Sequence, residues 1–170
     1  MSNIIIETYS IKDIPLLTIK QEGLRNQPVV FYLHGFTCDK RQGIRFGYEL
    51  AKRGMYFIAP DAFMHGERYH PHLEKVIAGE HVENLYPKAS GLDTYFLMHK
   101  IIVQTGKDID FLISHFKNDA QINIESIGLT GFSMGGFSTY YIAANNSKIQ
   151  SIAPIAGIPA FESRWLDVIL

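Results

Sequence analysis

The stretch Gly131-Phe132-Ser133-Met134-Gly135-Gly136 holds the residues best suited to chemistry. It has the spacing G-x-S-x-G and lies between a run that reads as strand, Ile124 to Thr130, and one that reads as helix, Gly135 to Asn145. A serine at the tip of so sharp a turn takes strained backbone angles, and side chains two residues before and after it would collide unless both are glycine. Gly131 and Gly135 meet that demand. Such a turn lifts the Ser133 hydroxyl above the strand ends as a nucleophile. It also sets the Met134 N–H at the start of the helix, where it can donate to a developing oxyanion. Gly136 would let the helix pack close to the sheet. A nucleophilic hydroxyl beside an oxyanion donor would suit attack on a carbonyl, and a second element, His34-Gly35-Phe36, stands directly after the apolar run Val29 to Leu33.

Other reactive residues admit plainer readings. His65 either holds its own loop through the imidazole or faces a pocket at the carboxyl edge of the sheet. His70, His72 and His81 stand among Glu67, Glu74, Glu80 and Glu83, but without an H-E-x-x-H helix or other tight ligand spacing. No metal is expected there, and the segment reads as a solvated excursion that could serve as a small lid. Cys38, the one cysteine, has no base beside it in sequence and reads as a small buried residue rather than a nucleophile.

The elements that must position these residues alternate in type. Asn3 to Ser10 and Pro15 to Lys20 suit an N-terminal hairpin with Asp13 near its turn. Val29 to Leu33 is uninterrupted apolar, as in a strand buried on both faces of a parallel sheet. Lys40 to Arg53 reads as a helix with Ile44, Tyr48, Leu50 and Ala51 at near-helical spacing and Gly54 at its C-terminal end. Met55 to Ala59 is strand-like. Gly91 to Phe116 reads as a long amphipathic helix, with Ser90 and Asp93 as a shortened capping box and Gly106 weakening its middle. Ile149 to Ile155 is a last strand. A hairpin followed by β, α, β, α, β, α, β implies right-handed crossovers and a mainly parallel α/β sandwich whose ligands bind at the carboxyl ends of the strands.

With no linker, repeat or low-complexity tract, residues 1–170 read as a single domain. The chain carries 16 Lys plus Arg against 17 Asp plus Glu and no basic run, which argues against a nucleic-acid partner. No stretch approaches the ~18 apolar residues of a membrane span. The N-terminus has no basic region and reaches Glu7 too early for a secretory apolar core, so the expected location is the cytoplasm.

H-G-F after one strand and G-F-S-M-G-G after a later one, taken together, resemble the α/β-hydrolase family over essentially the whole chain. Pro60-Asp61-Ala62-Phe63-Met64-His65-Gly66-Glu67-Arg68 looks like the corresponding loop of esterases in the prolyl oligopeptidase and dienelactone hydrolase branches. The resemblance implies a three-layer α/β sandwich, a serine esterase activity on a small-molecule ester and no cofactor. It gives the Phe36 N–H as partner of the Met134 N–H in an oxyanion hole. His34 then has a structural place under that loop, since the family uses the loop's backbone.

The family order of the triad is Ser, then Asp or Glu, then His. Here all seven histidines, at 34, 65, 70, 72, 81, 99 and 115, precede Ser133, and the only acids after it are Glu162 and Asp167. The expectation is an incomplete domain whose C-terminal strands are missing. Ile149 to Ile155 would then be an exposed edge beside an apolar tail, Phe161 to Leu170, and the chain would self-associate. Two readings stay open: a serine hydrolase whose base comes from absent residues, another chain or an unusual histidine such as His65, and a non-catalytic binding protein or inactive fragment that keeps the pocket.

Overall fold

Ile4–Ile11 (β1) and Ile14–Gln21 (β2) pair antiparallel, Ile4 opposite Gln21 and Ile11 opposite Ile14, around a turn in which Lys12 takes φ 54°. The computed structural model describes residues 3–78 and 93–159. Beyond the hairpin, Gln27–Leu33 (β3), Tyr56–Pro60 (β4), Ile122–Phe132 (β5) and Ile149–Ile155 (β6) complete a sheet of order β1-β2-β4-β3-β5-β6. β2 meets β4 antiparallel, and the pairs β3/β4, β3/β5 and β5/β6 are parallel. The helices are Ile44–Ala51 (α1), Pro71–Ile77 (α2), Asp93–His115 (α3) and Met134–Asn145 (α4).

The side-chain period of two along the strands sorts the core into opposite faces. Leu17, Ile19, Tyr32, Phe57 and Ala59 gather with Ala51 of α1. Their neighbours Leu16, Phe31 and Ile58, joined by Leu129, meet Ile109, Leu112 and Ile113 of α3 and Ile142 of α4 on the other face. With each such side chain contributing about 1.5–3 kcal/mol on full burial, both faces of the inner strands are strongly driven inward. That double burial is why β3 and β4 are apolar at nearly every position. The arrangement is the expected three-layer sandwich with a mainly parallel sheet and an antiparallel N-terminal hairpin.

Several local expectations need correction. Lys40 to Arg53 is not one helix: Lys40–Gly43 is a 3-10 turn, opened by Asp39, whose carboxylate accepts the Arg41 N–H, and α1 proper ends at Ala51. The inward face of α1 is also not the apolar one. Ile44 and Tyr48 are exposed, while Gly43, Gly47 and Ala51 lie against Tyr32 and Phe57. A Cβ on Gly43 would stand 2.7 Å from the Tyr32 ring, so absence of a side chain sets how closely this helix approaches. β5 is longer than its apolar run because its ladder to β3 skips from Asn123 to Ile127, leaving an irregularity that Asn123 stabilises by accepting the Glu125 N–H. The stretch after β4 holds a 3-10 turn, Gly66–Arg68, and then α2, whose Leu73 is buried. Ser90, His81, Glu80, Glu83, Glu162, Asp167 and the Phe161 to Leu170 tail fall outside the described residues. Gly106 sits within an unbroken α3, facing Tyr141 of α4.

Candidate active site

The parallel strands β3, β4, β5 and β6 run out at one edge of the sheet, and strain collects there. Thr37, Met64, Ser133 and Ala156, one after each of these strands, all have φ between 53 and 66°. A non-glycine residue held in sparsely populated backbone space costs roughly 1–3 kcal/mol and persists only where its surroundings over-determine it.

For Ser133 those surroundings are evident. It stands between β5 and α4 with φ 53° and ψ −114°, its N–H donating to the Ile155 carbonyl at 2.9 Å and its own carbonyl accepting the Phe137 N–H at 3.0 Å. A Cβ on Gly131 would lie 2.5 Å from the Gly135 carbonyl group, and one on Gly135 would overlap the Leu33 carbonyl of β3. A Cβ on Gly136 would come to 2.8 Å from the Ile155 carbonyl of β6. The three glycines thus let the turn fold on itself and the helix descend onto two strands. Ser133 is half-buried, and Met134 is buried among Ala62, Met64, Leu73, Leu97, Ile101 and Ile102, against which Phe36 also packs.

The loop after β3 is an arch. The Cys38 N–H returns to the Gly35 carbonyl at 3.1 Å, and Thr37 at φ 66° makes the bend. Gly35 donates its N–H to Gln42 Oε1 at 2.8 Å, and a Cβ on Gly35 would touch the Phe132 ring at 3.4 Å, so the arch lies beside the serine turn. These loop bonds leave the Phe36 N–H and, across at the start of α4, the Met134 N–H outside them. His34 is 1% exposed, and both its ring nitrogens are engaged. Nε2 accepts the Ala62 N–H at 2.9 Å, which leaves the proton on Nδ1 for the Gly35 carbonyl at 2.8 Å. Burial pushes its pKa down to about 4, against the pull of that carbonyl.

Sequence reasoning missed the group that holds this arch from the other side. Asp61, at the end of β4, is fully buried; its Oδ1 accepts the Lys40 N–H at 2.8 Å, and its Oδ2 accepts Lys40 Nζ at 2.7 Å and the Glu67 N–H at 2.9 Å. Lys40 Nζ also reaches Glu67 at 2.6 Å. Burial works against the Lys40 charge, but the hydrogen bonds to Asp61 and Glu67 prevail and raise its pKa. Gly66, at φ 56°, has no Cβ because the Asp61 carboxylate occupies that space. Arg68 closes the loop, bonding the Asp61 carbonyl at 3.3 Å, Asp108 of α3 at 2.5 Å and Asp13 of the hairpin at 3.4 Å. The one sequence signal was a carboxylate directly after Pro60 on a strand's carboxyl end.

His65 is 1% exposed, its Nδ1 hydrogen-bonded to the Phe63 carbonyl at 3.0 Å, so it holds its own loop. Its ring lies 5.2 Å from that of His34 and 5.5 Å from that of Phe36, and burial lowers its pKa. Ser133, Met134, Phe36, Gly35, His34 and His65 are therefore neighbours at one edge. Cys38 is not buried as expected: it is partly exposed, with Sγ accepting from Gln42 at 3.3 Å, because the arch leaves the sheet there. His70 and His72 meet edge to face, ring centroids 4.3 Å apart, at the start of α2, and no group of three metal-ligating side chains occurs among the described residues. Nor is any described helix long and apolar enough to cross a membrane.

No family model matches the chain. Among curated proteins it is 29% identical over 158 residues to YitV of Bacillus subtilis (strain 168), which carries an esterase name. It is 26% identical over 161 residues to Esterase YjfP of Escherichia coli (strain K12). These alignments take in 92% and 93% of this chain but only 55% and 57% of the relatives, so the chain spans little more than half their length. Among solved structures it superposes on a protein named as a dienelactone hydrolase from Klebsiella pneumoniae with TM-score 0.62 and 21% identity, covering 88% of this chain and 58% of that one. Acetyl xylan esterase 1 from Thermoanaerobacterium sp. gives TM-score 0.58 at 15% identity, over 99% of this chain and 57% of that one. The chain is thus a relative of proteins named esterases and carries, over its described residues, the α/β-hydrolase fold.

Proposed function

We propose that this chain forms the nucleophile-bearing part of a serine hydrolase acting on carboxylic esters. The Ser133 hydroxyl attacks the acyl carbon of a small-molecule ester, its proton passes to a general base, and the carbonyl oxygen becomes an oxyanion that the Phe36 and Met134 N–H groups receive. Collapse expels the alcohol, which takes the proton back, and water then releases the acid from Ser133. The observation that carries this reading is the backbone of Ser133, φ 53° and ψ −114°, over-determined by Gly131 and Gly135. A turn costing ~1–3 kcal/mol has no structural benefit in evidence here and a ready use in presenting a hydroxyl. The esterase names of both relatives support the same class.

Both ring nitrogens of His34 are engaged, and the buried Nε2 of His65 makes no hydrogen bond to the Ser133 hydroxyl, so neither is paired with the nucleophile as a base. No histidine follows Ser133 in the sequence. That favours, for these 170 residues taken alone, a second reading as a binding module that keeps the elbow without turnover. A fluorophosphonate probe at high concentration separates the two: slow labelling of the chain, driven by the oxyanion hole and lost in Ser133→Ala, is expected, and a chain that stays unlabelled sinks the hydrolase reading. Hydrolysis of activated short acyl esters by the chain should be slow, because the oxyanion hole without a base retains only a residue of catalysis. We further propose self-association through β6, tested below.

A further inference from the structure

Two adjacent residues after β4 hold both feet of the arch that carries Phe36. Ala62 gives its N–H to the side chain of His34 at one foot, and the Asp61 carboxylate takes the main-chain N–H and the ammonium of Lys40 at the other. Between the feet lie Gly35 to Asp39, with Thr37 in the left-handed region at φ 66°. Within the arch, one main-chain bond, Cys38 N–H to the Gly35 carbonyl, maintains that bend. A left-handed threonine relaxes readily unless its flanks are fixed. Here the fixing comes from a different loop, 21 residues away from Lys40 in sequence.

We infer that Asp61 is a positioning residue for the oxyanion donor: through Lys40, and together with the Ala62–His34 bond, it sets the direction of the Phe36 N–H. This rests on the proposed role of Phe36 in acyl transfer. Three features of Asp61 fit it better than a general contribution to folding. Its carboxylate is fully buried, two of its three hydrogen bonds go to the backbone and side chain of one residue, Lys40, with the third from the Glu67 N–H, and the chain gives up a Cβ at Gly66 to make room for it. A carboxylate held by charge-assisted bonds on both oxygens is a stiff anchor. An error of an ångström in a donor's place can cost about a hundredfold in rate.

The test uses Asp61→Asn, which keeps shape and leaves Lys40 its bond to Glu67, with Lys40→Met as a second variant and Lys40→Arg as the conservative rescue. Two readouts are taken on folded protein: the second-order rate of fluorophosphonate labelling at Ser133, and amide hydrogen exchange over residues 36–39. Asp61→Asn and Lys40→Met should slow labelling about tenfold or more and speed exchange in the arch. Lys40→Arg should restore much of both, and Glu67→Gln, which keeps the Glu67 N–H, should leave labelling within about twofold of the parent. Slow labelling with unaltered arch exchange, or unaltered labelling in a folded Asp61→Asn protein, would overturn the inference while leaving the Ser133 reading intact. If the parent chain does not label, that reading fails by itself, and arch exchange still decides whether Asp61 fixes Phe36.

Discussion

Ser133 sits where a glycine would sit without strain, since φ 53° with ψ −114° mirrors an ordinary extended conformation. Ser133→Gly should therefore raise the stability of the chain by about 1 kcal/mol, whereas Ser133→Ala, which keeps the Cβ, should change it little. Thermal melts of the two variants check this, and equal melting temperatures would mean that the turn stores no strain. The reason this residue was legible from sequence is that its constraint is local. Gly131, Gly135 and Ser133 must collide or not within five residues, so spacing alone exposes them. Asp61 and Lys40 were not legible for the opposite reason. Their contact joins loops after two different strands, and nothing in either segment's periodicity marks a lysine that folds inward to 4% exposure.

Among the elements, the helices depend on their glycines in different ways. Gly135→Ala places a methyl group on the Leu33 carbonyl, a backbone atom that cannot yield, and should cost roughly 2–4 kcal/mol and the elbow with it. Gly106→Ala meets the Tyr141 ring at 3.1 Å and the Ile142 side chain at an ordinary 3.5 Å, and the helix propensity gained by alanine offsets that push, so its effect should fall within about 1 kcal/mol of zero. Urea unfolding of both variants decides, and a Gly135→Ala protein as stable as its parent would contradict the described α4–β3 approach. The same physics explains why the inward face of α1 does not show in the sequence: periodicity looks for large apolar side chains, while Gly43 and Gly47 bury that helix by having none. The strands were read well because inner-sheet burial leaves continuous apolar runs. β6 is different, with Ile152 and Ile155 exposed and, among the described residues, no strand on its outer side. An edge of this kind invites pairing with a second copy. Light scattering should show mass rising with concentration and Ile152→Lys should suppress the rise; a constant monomeric mass would remove the proposal.

For the molecule as a whole, the two neighbouring buried histidines, His34 and His65, make acid the natural stress. His34 is neutral in the folded chain, with its pKa lowered from 6.5 to about 4 by burial, while the unfolded chain binds the proton near 6.5. Between these values the unfolded state holds more protons, so stability rises with pH and is lost progressively as pH falls from 6.5 towards 4. At about 1.4 kcal/mol per pH unit, the descent from 6.5 to about 4 amounts to roughly 3 kcal/mol for this group. His65 acts in the same direction, its pKa lowered first by burial. Asp39, brought down to about 2 chiefly by its hydrogen bond to Arg41, gives a separate loss that begins only below 3.8. The Lys40 ammonium contributes nothing in this window, because a raised lysine pKa matters only above its unfolded value of 10.5. The expected result is therefore a fall in unfolding free energy that starts near pH 6.5, well above the carboxylate range. His34→Gln retains an acceptor for the Ala62 N–H but cannot titrate, so it should flatten the slope between pH 6.5 and 4 while leaving the fall below 3.8 in place. Urea titrations at several pH values measure both, and an undiminished slope in the variant would show that His34 is not the group that carries it.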